Sequence, residues 1–463
     1  MLTGGICPRI LRKKKTVCGK PIKSSGVCGR HKTPHDRQAF KAKKLDNLPI
    51  IGITPAPSNP NAGYWPTQIE ASKEVLSVFQ SGRHYCVLAA QCQSGKTGVS
   101  KNAIANILSV NSQIIPIVII PISSNEIYAQ TRREFMEFVD ESNILSLPQL
   151  LDADCLKRRM DKNPSREFLF VIDESHLNSL VVPGEASCLF NALKKINVCT
   201  DGSFIPDNCY ILSISATPTA ELAGILQLRG TDMPGKDIVY FKPGENYYGI
   251  ADMFSLERVF PAVSLKEEAD REAFSRVIHD QYYGQQKYGI VRLRSHQECV
   301  SMSVHLARQN IPALIYNSYV HMSADISMIL KRAPDQLIII LLVQRLRASI
   351  QLDTRHVCMV HENITATADT TTQGLPGRMC GYGKRDHAVD VYCNVPVLKA
   401  QLEWITSGFA PESIPQCRTV TGHYVPSKVG TLKPVYREPI SKSIYCFKIP
   451  SASSASSAPS ESV

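Results

Sequence analysis

The chain has 463 residues, 43% of them apolar and 20% charged, with a formal net charge of +11 and fifteen cysteines. That length and balance exclude a fibrous or wholly disordered protein and leave room for two or three globular domains. The longest apolar runs, 114–122 with two prolines inside and 337–343, fall far short of the roughly eighteen residues that span a bilayer, so no membrane partner is expected.

The charge is uneven. Residues 1–44 hold thirteen Lys or Arg against one acid, Asp36, which leaves the rest of the chain close to neutral. Such a basic arm is the electrostatic footprint of a nucleic-acid or acidic-surface binder. It also carries Cys7, Cys18, Cys28 and His31 in the spacing C-x10-C-x9-C-x2-H, with glycines and prolines between them. Four borderline ligands within 25 residues suit tetrahedral Zn²⁺, which would order a segment too small and polar to fold by burial. Scattered ligand-type residues in a basic tail are the alternative. The N-terminus is charged where a secretory signal is apolar, so an intracellular, soluble protein with reduced cysteines is expected.

Residues 46–63, with four prolines, read as a linker. A helix pattern then starts near Gln68, whose carboxamide is placed either to read an adenine edge or to stand solvated in a first turn. Next, an apolar run at 85–89 leads into AQCQSGKT (90–97), and a helix-compatible run continues to about 108. A strand, a turn and a helix N-terminus in that order can cradle a polyphosphate. Backbone N–H groups around Gln93, Ser94 and Gly95 face the phosphates, Lys96 reaches the terminal ones and the Thr97 hydroxyl ligates Mg²⁺. The pattern G-x-x-x-x-G-K-[ST] is imperfect here, because Ala90 stands at its first glycine. A simple Gly-Lys-Thr turn is the bland alternative.

Further buried-strand patterns fall at 114–120, 168–172 and 210–214, the last two delivering DESH (173–176) and SATP (215–218) at their ends. Strands alternating with helices predict a parallel, doubly wound α/β sheet with its ligands at the C-terminal strand ends. Residues 64–255 form this first domain and 256–285, weakly patterned, a connector. Alternation resumes in a second domain (286–410), with strands at 288–293, 313–316, 337–343, 356–360 and 389–393 and helices at 297–308 and near 324–332. Its stretch 370–384, TTTQGLPGRMCGYGK, has four glycines and a proline and reads as too broken for ordinary helix. A C-terminal extension (411–450) and a disordered Ser-rich tail (451–463) follow.

Asp173 and Glu174 at a strand end can present one carboxylate to Mg²⁺ and another to the attacking water, the two groups that γ-phosphate hydrolysis needs. AQCQSGKT, DESH, SAT and QGLPGR, in this order over about 64–400, resemble the motif series of the superfamily 2 DEAD/DEAH-like helicases. The resemblance implies two tandem RecA-like domains, ATP and Mg²⁺ as cofactors, and an ATP hydrolase that moves or unwinds nucleic acid. It further implies Gln68 as the adenine-recognising glutamine and Gly95, Lys96 and Thr97 as the phosphate grip. Asp173 and Glu174 become the magnesium and water carboxylates, and His176, Ser215 and Thr217 the groups coupling the ATP site to the cleft. Gln373 and Arg378 face the site from the second domain, Arg378 as an arginine finger.

The last motif departs from Q-x-x-G-R-x-x-R, since Gly381 stands where its second arginine belongs and Lys384 or Arg385 is left to compensate. Arg345 and Arg347 either contact phosphates or coat a solvated helix. QCQSGKT together with GR-x-x-G-Y resembles the divergent helicase-like ATPases of large DNA viruses and phages, which favours DNA over RNA. The competing expectations are a nucleic-acid-binding subunit with a decayed ATPase and a remodelling translocase that does not unwind.

Overall fold

A computed structural model describes residues 59–120, 125–173, 188–199, 204–218, 236–316, 326–343, 351–364, 368–410, 413, 415, 423–426 and 432–435. Within them the chain builds two parallel-sheet α/β lobes. In the first lobe, helix α1 (Pro66–Gln80) precedes strand β1 (Tyr85–Ala90) and helix α2 (Lys96–Val110). Then come β2 (Ile114–Ile120), α3 (Asn125–Phe135), β3 (Ile144–Ser146), β4 (Glu167–Asp173), β5 (Cys209–Ser215) and β6 (Lys236–Phe241). The strands are ordered β3-β2-β4-β5-β1-β6 and all pair in parallel.

Parallel strands covered on both faces must be apolar throughout, which is why YCVLAA in β1 and IIPIVII in β2 are buried at every position. Because β5 lies between β1 and β4, the ends of these three strands deliver residues 91–97, Asp173 and residues 215–217 to one edge. A buried polar seam fixes α1 on α2. Asn106 Nδ2 donates to Ser72 Oγ (3.1 Å) and to Asn102 Oδ1 (3.2 Å), and Ser72 also bonds Asn102.

The second lobe contains β8 (Val259–Pro261), α4 (Glu268–Tyr282), β9 (Tyr288–Leu293), α5 (His296–Arg308), β10 (Ala313–Tyr316), β11 (Ile338–Val343) and β12 (Val357–His361), after a short β7 (Tyr247–Tyr248). It continues with α6 (Ala368–Gln373), α7 (Leu375–Met379), β13 (Gly381–Tyr382), β14 (Asp390–Cys393) and α8 (Val395–Thr406). Its sheet has the order β10-β11-β9-β12-β14-β8, again all parallel. Outside both sheets, β13 pairs antiparallel with β7, and β15 (His423–Pro426) with β16 (Leu432–Val435).

Two expectations need correcting. The supposed connector at 256–285 supplies β8 to the second sheet and the fifteen-residue α4, anchored by buried Phe274, Ile278 and Tyr282. The glycine-rich stretch is helical in two short pieces, α6 and α7, broken at Gly374. The basic arm, with Cys7, Cys18, Cys28 and His31, and the Ser-rich tail lie outside the described residues. No helix among the described residues is long and apolar enough to cross a membrane.

Candidate functional site

The site starts where β1 runs into α2. Gly95 has φ +95°, left-handed backbone that a glycine adopts without strain, and α2 begins with no side-chain cap. The N-terminal dipole of a fifteen-residue helix is thereby aimed at the turn, an arrangement that favours an anion. Gln93 is also left-handed, φ +56°, where an L side chain is disfavoured by about 1–2 kcal/mol. Ser94 braces the turn, its hydroxyl donating to Gln91 O at 2.8 Å.

Gln68, at the start of α1, reaches this turn. Its Oε1 accepts from the Trp65 N–H (3.1 Å) and its Nε2 donates to Gly95 O (3.0 Å). A Cβ at Gly98 would collide with that carboxamide, and one at Gly95 would come within 2.9 Å of it. Glycines 95 and 98 therefore leave the room that the Gln68 head fills.

Lys96 Nζ lies 3.5 Å from Asp173 Oδ1 at the end of β4, with both side chains largely buried. Thr97 follows in the first turn of α2. Lys96, Thr97 and Asp173 are a donor set that fits a Mg²⁺–triphosphate: an ammonium for phosphate oxygens, and a hydroxyl and a carboxylate for a hard cation. Glu174 and His176 fall outside the described residues. Sequence reasoning missed a second carboxyl near Asp173, that of Glu134 in α3. Burial first, and then the Asp173 charge, raise it above its ordinary range, against a lowering hydrogen bond from Gln130. No pattern marks an acid in so polar a helix.

The second lobe lies along the phosphate-loop candidate, residue against residue. Cys92 Sγ is 3.6 Å from Thr372 O, and a Cβ at Gly377 would come within 2.9 Å of that sulfur while colliding with Thr372 O. A Cβ at Gly381 would be 3.6 Å from Gln93 Cβ. The Tyr382 hydroxyl donates to Ser94 O at 3.2 Å, and that of Tyr247 to Cys92 O at 2.5 Å. Gln373 Nε2 donates to Thr217 Oγ1, and Thr217 N donates to Ser215 Oγ at 3.0 Å. Ser215 and Thr217 of the first lobe and Gln373 of the second are thus brought together.

Arg378 is buried in α7, its guanidinium donating to Gln373 O at 3.2 Å. The helix carrying it is set by a buried ion pair: Arg292 Nε lies 2.7 Å from Glu362 Oε1, and Glu362 Oε2 accepts the Leu375 N–H at 2.8 Å. A Cβ at Gly374 would collide with that carboxylate. Lys384 Nζ donates to Arg378 O at 2.7 Å, and its side chain packs against Gly381. Arg385 points elsewhere, pairing with Asp252 at the surface. Tyr247, Tyr382, Glu362 and Arg292 are placed by long-range packing, and no local signal singles them out.

No family model matches the chain. A protein of Acanthamoeba polyphaga mimivirus, described as uncharacterized, is 29% identical over 229 residues, 46% of this chain and 55% of its own length. The chain therefore spans about half the length of that relative. Among solved structures, S. cerevisiae Dbp5 bound to RNA and ADP BeF3 is 13% identical, with a TM-score of 0.41, 75% of this chain covered and 92% of that one. The E. coli DExH-box NTPase HrpB gives 13% identity and a TM-score of 0.43 over 72% of this chain and 42% of its own. The ATP-dependent Type ISP restriction-modification enzyme LlaBIII bound to DNA gives 11% and 0.48 over 71% and 27%. Residues 372–382 run close along 92–94, and through them each lobe completes the other's polar contacts. Among the described residues no group of three or more His, Cys, Asp or Glu gathers as a metal site.

Proposed function

We propose that the chain is an ATP hydrolase that couples turnover to movement along nucleic acid, as a helicase or translocase of the superfamily 2 type. The observation that supports this reading is that Lys96 and Asp173 of one lobe lie 3.5 Å apart, while Thr372 of the other lobe meets Cys92 in the adjoining loop and its neighbour Gln373 donates to Thr217. In this reading Lys96 and the first turn of α2 hold the terminal phosphates, while Thr97 and Asp173 hold Mg²⁺. Bound there, the metal neutralises charge that develops on the transferring phosphoryl group. Arg378 supplies a guanidinium from the second lobe, so hydrolysis depends on the lobes meeting. Gln373 and Thr217 carry that state between lobes. The basic arm adds sequence-independent, salt-sensitive phosphate affinity, and DNA is the favoured track on the viral resemblance.

Two variants test the division of labour. Lys96→Ala is expected to lose ATP turnover together with tight triphosphate binding. Arg378→Ala is expected to bind nucleotide near normally and to hydrolyse it about 10³-fold more slowly. Unchanged turnover in Lys96→Ala, or lost binding with normal residual turnover in Arg378→Ala, would contradict the assignment. Absence of turnover in the wild-type chain, with nucleic-acid binding intact, would favour a binding subunit with a decayed ATPase.

A further inference from the structure

A phosphate cradle is lined by backbone N–H groups, and in a trans peptide the N–H points opposite to the carbonyl of the preceding residue. Whatever holds the carbonyls therefore aims the amides. No peptide bond among the described residues is cis. In the turn after β1 two tyrosines hold alternate carbonyls: Tyr247 donates its hydroxyl to Cys92 O at 2.5 Å and Tyr382 to Ser94 O at 3.2 Å. The amides of Gln93 and Gly95 are thereby turned away from the tyrosines.

Both hydroxyls come from one side. In the two-stranded ribbon of β7 and β13, Tyr247 lies directly opposite Tyr382, so the two side chains share a face, and their rings meet edge to face with centroids 5.6 Å apart. The Tyr382 hydroxyl accepts the Gly244 N–H at 2.9 Å, which leaves its own proton for Ser94 O. Gly249 makes room for the other ring, since a Cβ there would collide with Tyr247.

The turn needs this support because of its own sequence. Residues 93 and 95 are both left-handed, at φ +56° and +95°, a backbone that curls amides together around an anion. Gly95 adopts it freely, whereas Gln93 is strained by an amount of the same order as one hydroxyl-to-carbonyl bond contributes. The ribbon thus offsets what a glycine at 93 would have avoided, and Gly381, in the place of an arginine, brings it against Gln93.

We propose that Tyr247 and Tyr382 are positioning residues for the phosphate grip: from a ribbon outside both sheets they hold the turn in a curled form that Gln93 disfavours, so that triphosphate affinity depends on the ribbon being docked. The inference rests on the triphosphatase reading above and concerns the regulation of the same site.

Calorimetric titration of the full chain with Mg²⁺–ATP, and with Mg²⁺–tripolyphosphate, which has neither sugar nor base, tests it. Tyr247→Phe and Tyr382→Phe keep the rings and remove the hydroxyls. Each is expected to raise both dissociation constants about fivefold at unchanged stoichiometry, with KM for ATP rising alike and kcat changing less than about twofold. In a Gln93→Gly background, where the left-handed backbone is unstrained, the same substitutions should weaken binding less than about twofold. A merely structural role would lower the melting temperature and the stoichiometry and would show no dependence on residue 93. Tyr382 is half-buried, so Tyr382→Phe decides the matter should Tyr247→Phe not fold. Dissociation constants within about twofold of wild type in the folded tyrosine variants, or losses undiminished by Gln93→Gly, would overturn the proposal and leave the triphosphatase reading standing. Failure of the wild-type chain to bind either ligand would overturn both.

Discussion

Lys384 is held by the Arg378 carbonyl and packed against Gly381, the residue that faces Gln93. Burial above all, with a contribution from the Arg378 charge, lowers its pKa to about 8, against smaller raising effects of Cys380 and Asp353. Of the two residues left to stand in for an arginine at 381, Lys384 is thus the one at the loop, since Arg385 is tied to Asp252. If its charge serves turnover, the sign follows directly. Lys384 is protonated below about pH 8, so activity falls as pH rises through that value. Turnover at saturating ATP should show a descending limb near pH 8 that Lys384→Arg moves beyond pH 10, because a guanidinium stays charged. An identical limb in the arginine variant would remove Lys384 from this role. Gln93 shows how a residue can look wrong in sequence and still be accommodated. It adopts the left-handed backbone a glycine would suit, and its Cβ rests against the bare Gly381, so the two departures from the expected motifs meet in space.

At the scale of elements, the helix bearing Arg378 is five residues long and would not hold its shape alone. The Glu362 carboxylate supplies what it lacks, accepting from Leu375 N at the helix start while paired with buried Arg292. Removing one partner of a buried pair leaves the other charge uncompensated. Glu362→Ala is therefore expected to destabilise the protein by about 3–5 kcal/mol, read as a shift in the urea unfolding midpoint at unchanged slope. A change under about 1 kcal/mol would mean the pair is not what sets α7. This helix also explains a limit of sequence reading. Composition argued against helix at 370–384, yet Gly374 and Gly377 are required there by contact, with Glu362 in one case and with Thr372 O and Cys92 in the other. Similarly α4 was hidden by its charge, although Phe274, Ile278 and Tyr282 mark its buried face at steps of four. By contrast β2 and β9 were legible to the residue, because a strand buried on both faces is apolar at nearly every position; Arg292 in β9 is the exception, and Glu362 pairs its charge.

For the whole molecule, the motif order in sequence was enough to read two parallel α/β lobes, and the sheet orders bring the phosphate-loop candidate, Asp173 and Thr217 to one edge of the first. What motif order did not contain is how the lobes touch. The tyrosine hydroxyls of residues 247 and 382 on the carbonyls of Cys92 and Ser94, and Gln373 on Thr217, join residues up to 288 positions apart, beyond the reach of any local pattern. These contacts make the geometry of the loop depend on where the second lobe sits, and the proposed coupling of turnover to nucleic acid rests on that dependence. The most direct test is steady-state ATP turnover by the full chain with and without single- and double-stranded DNA and RNA, at fixed ionic strength. At least one polynucleotide is expected to raise turnover about tenfold or more, and Gln373→Ala, with nucleotide binding retained, is expected to lose this stimulation. Turnover indifferent to every polynucleotide would contradict the proposed coupling.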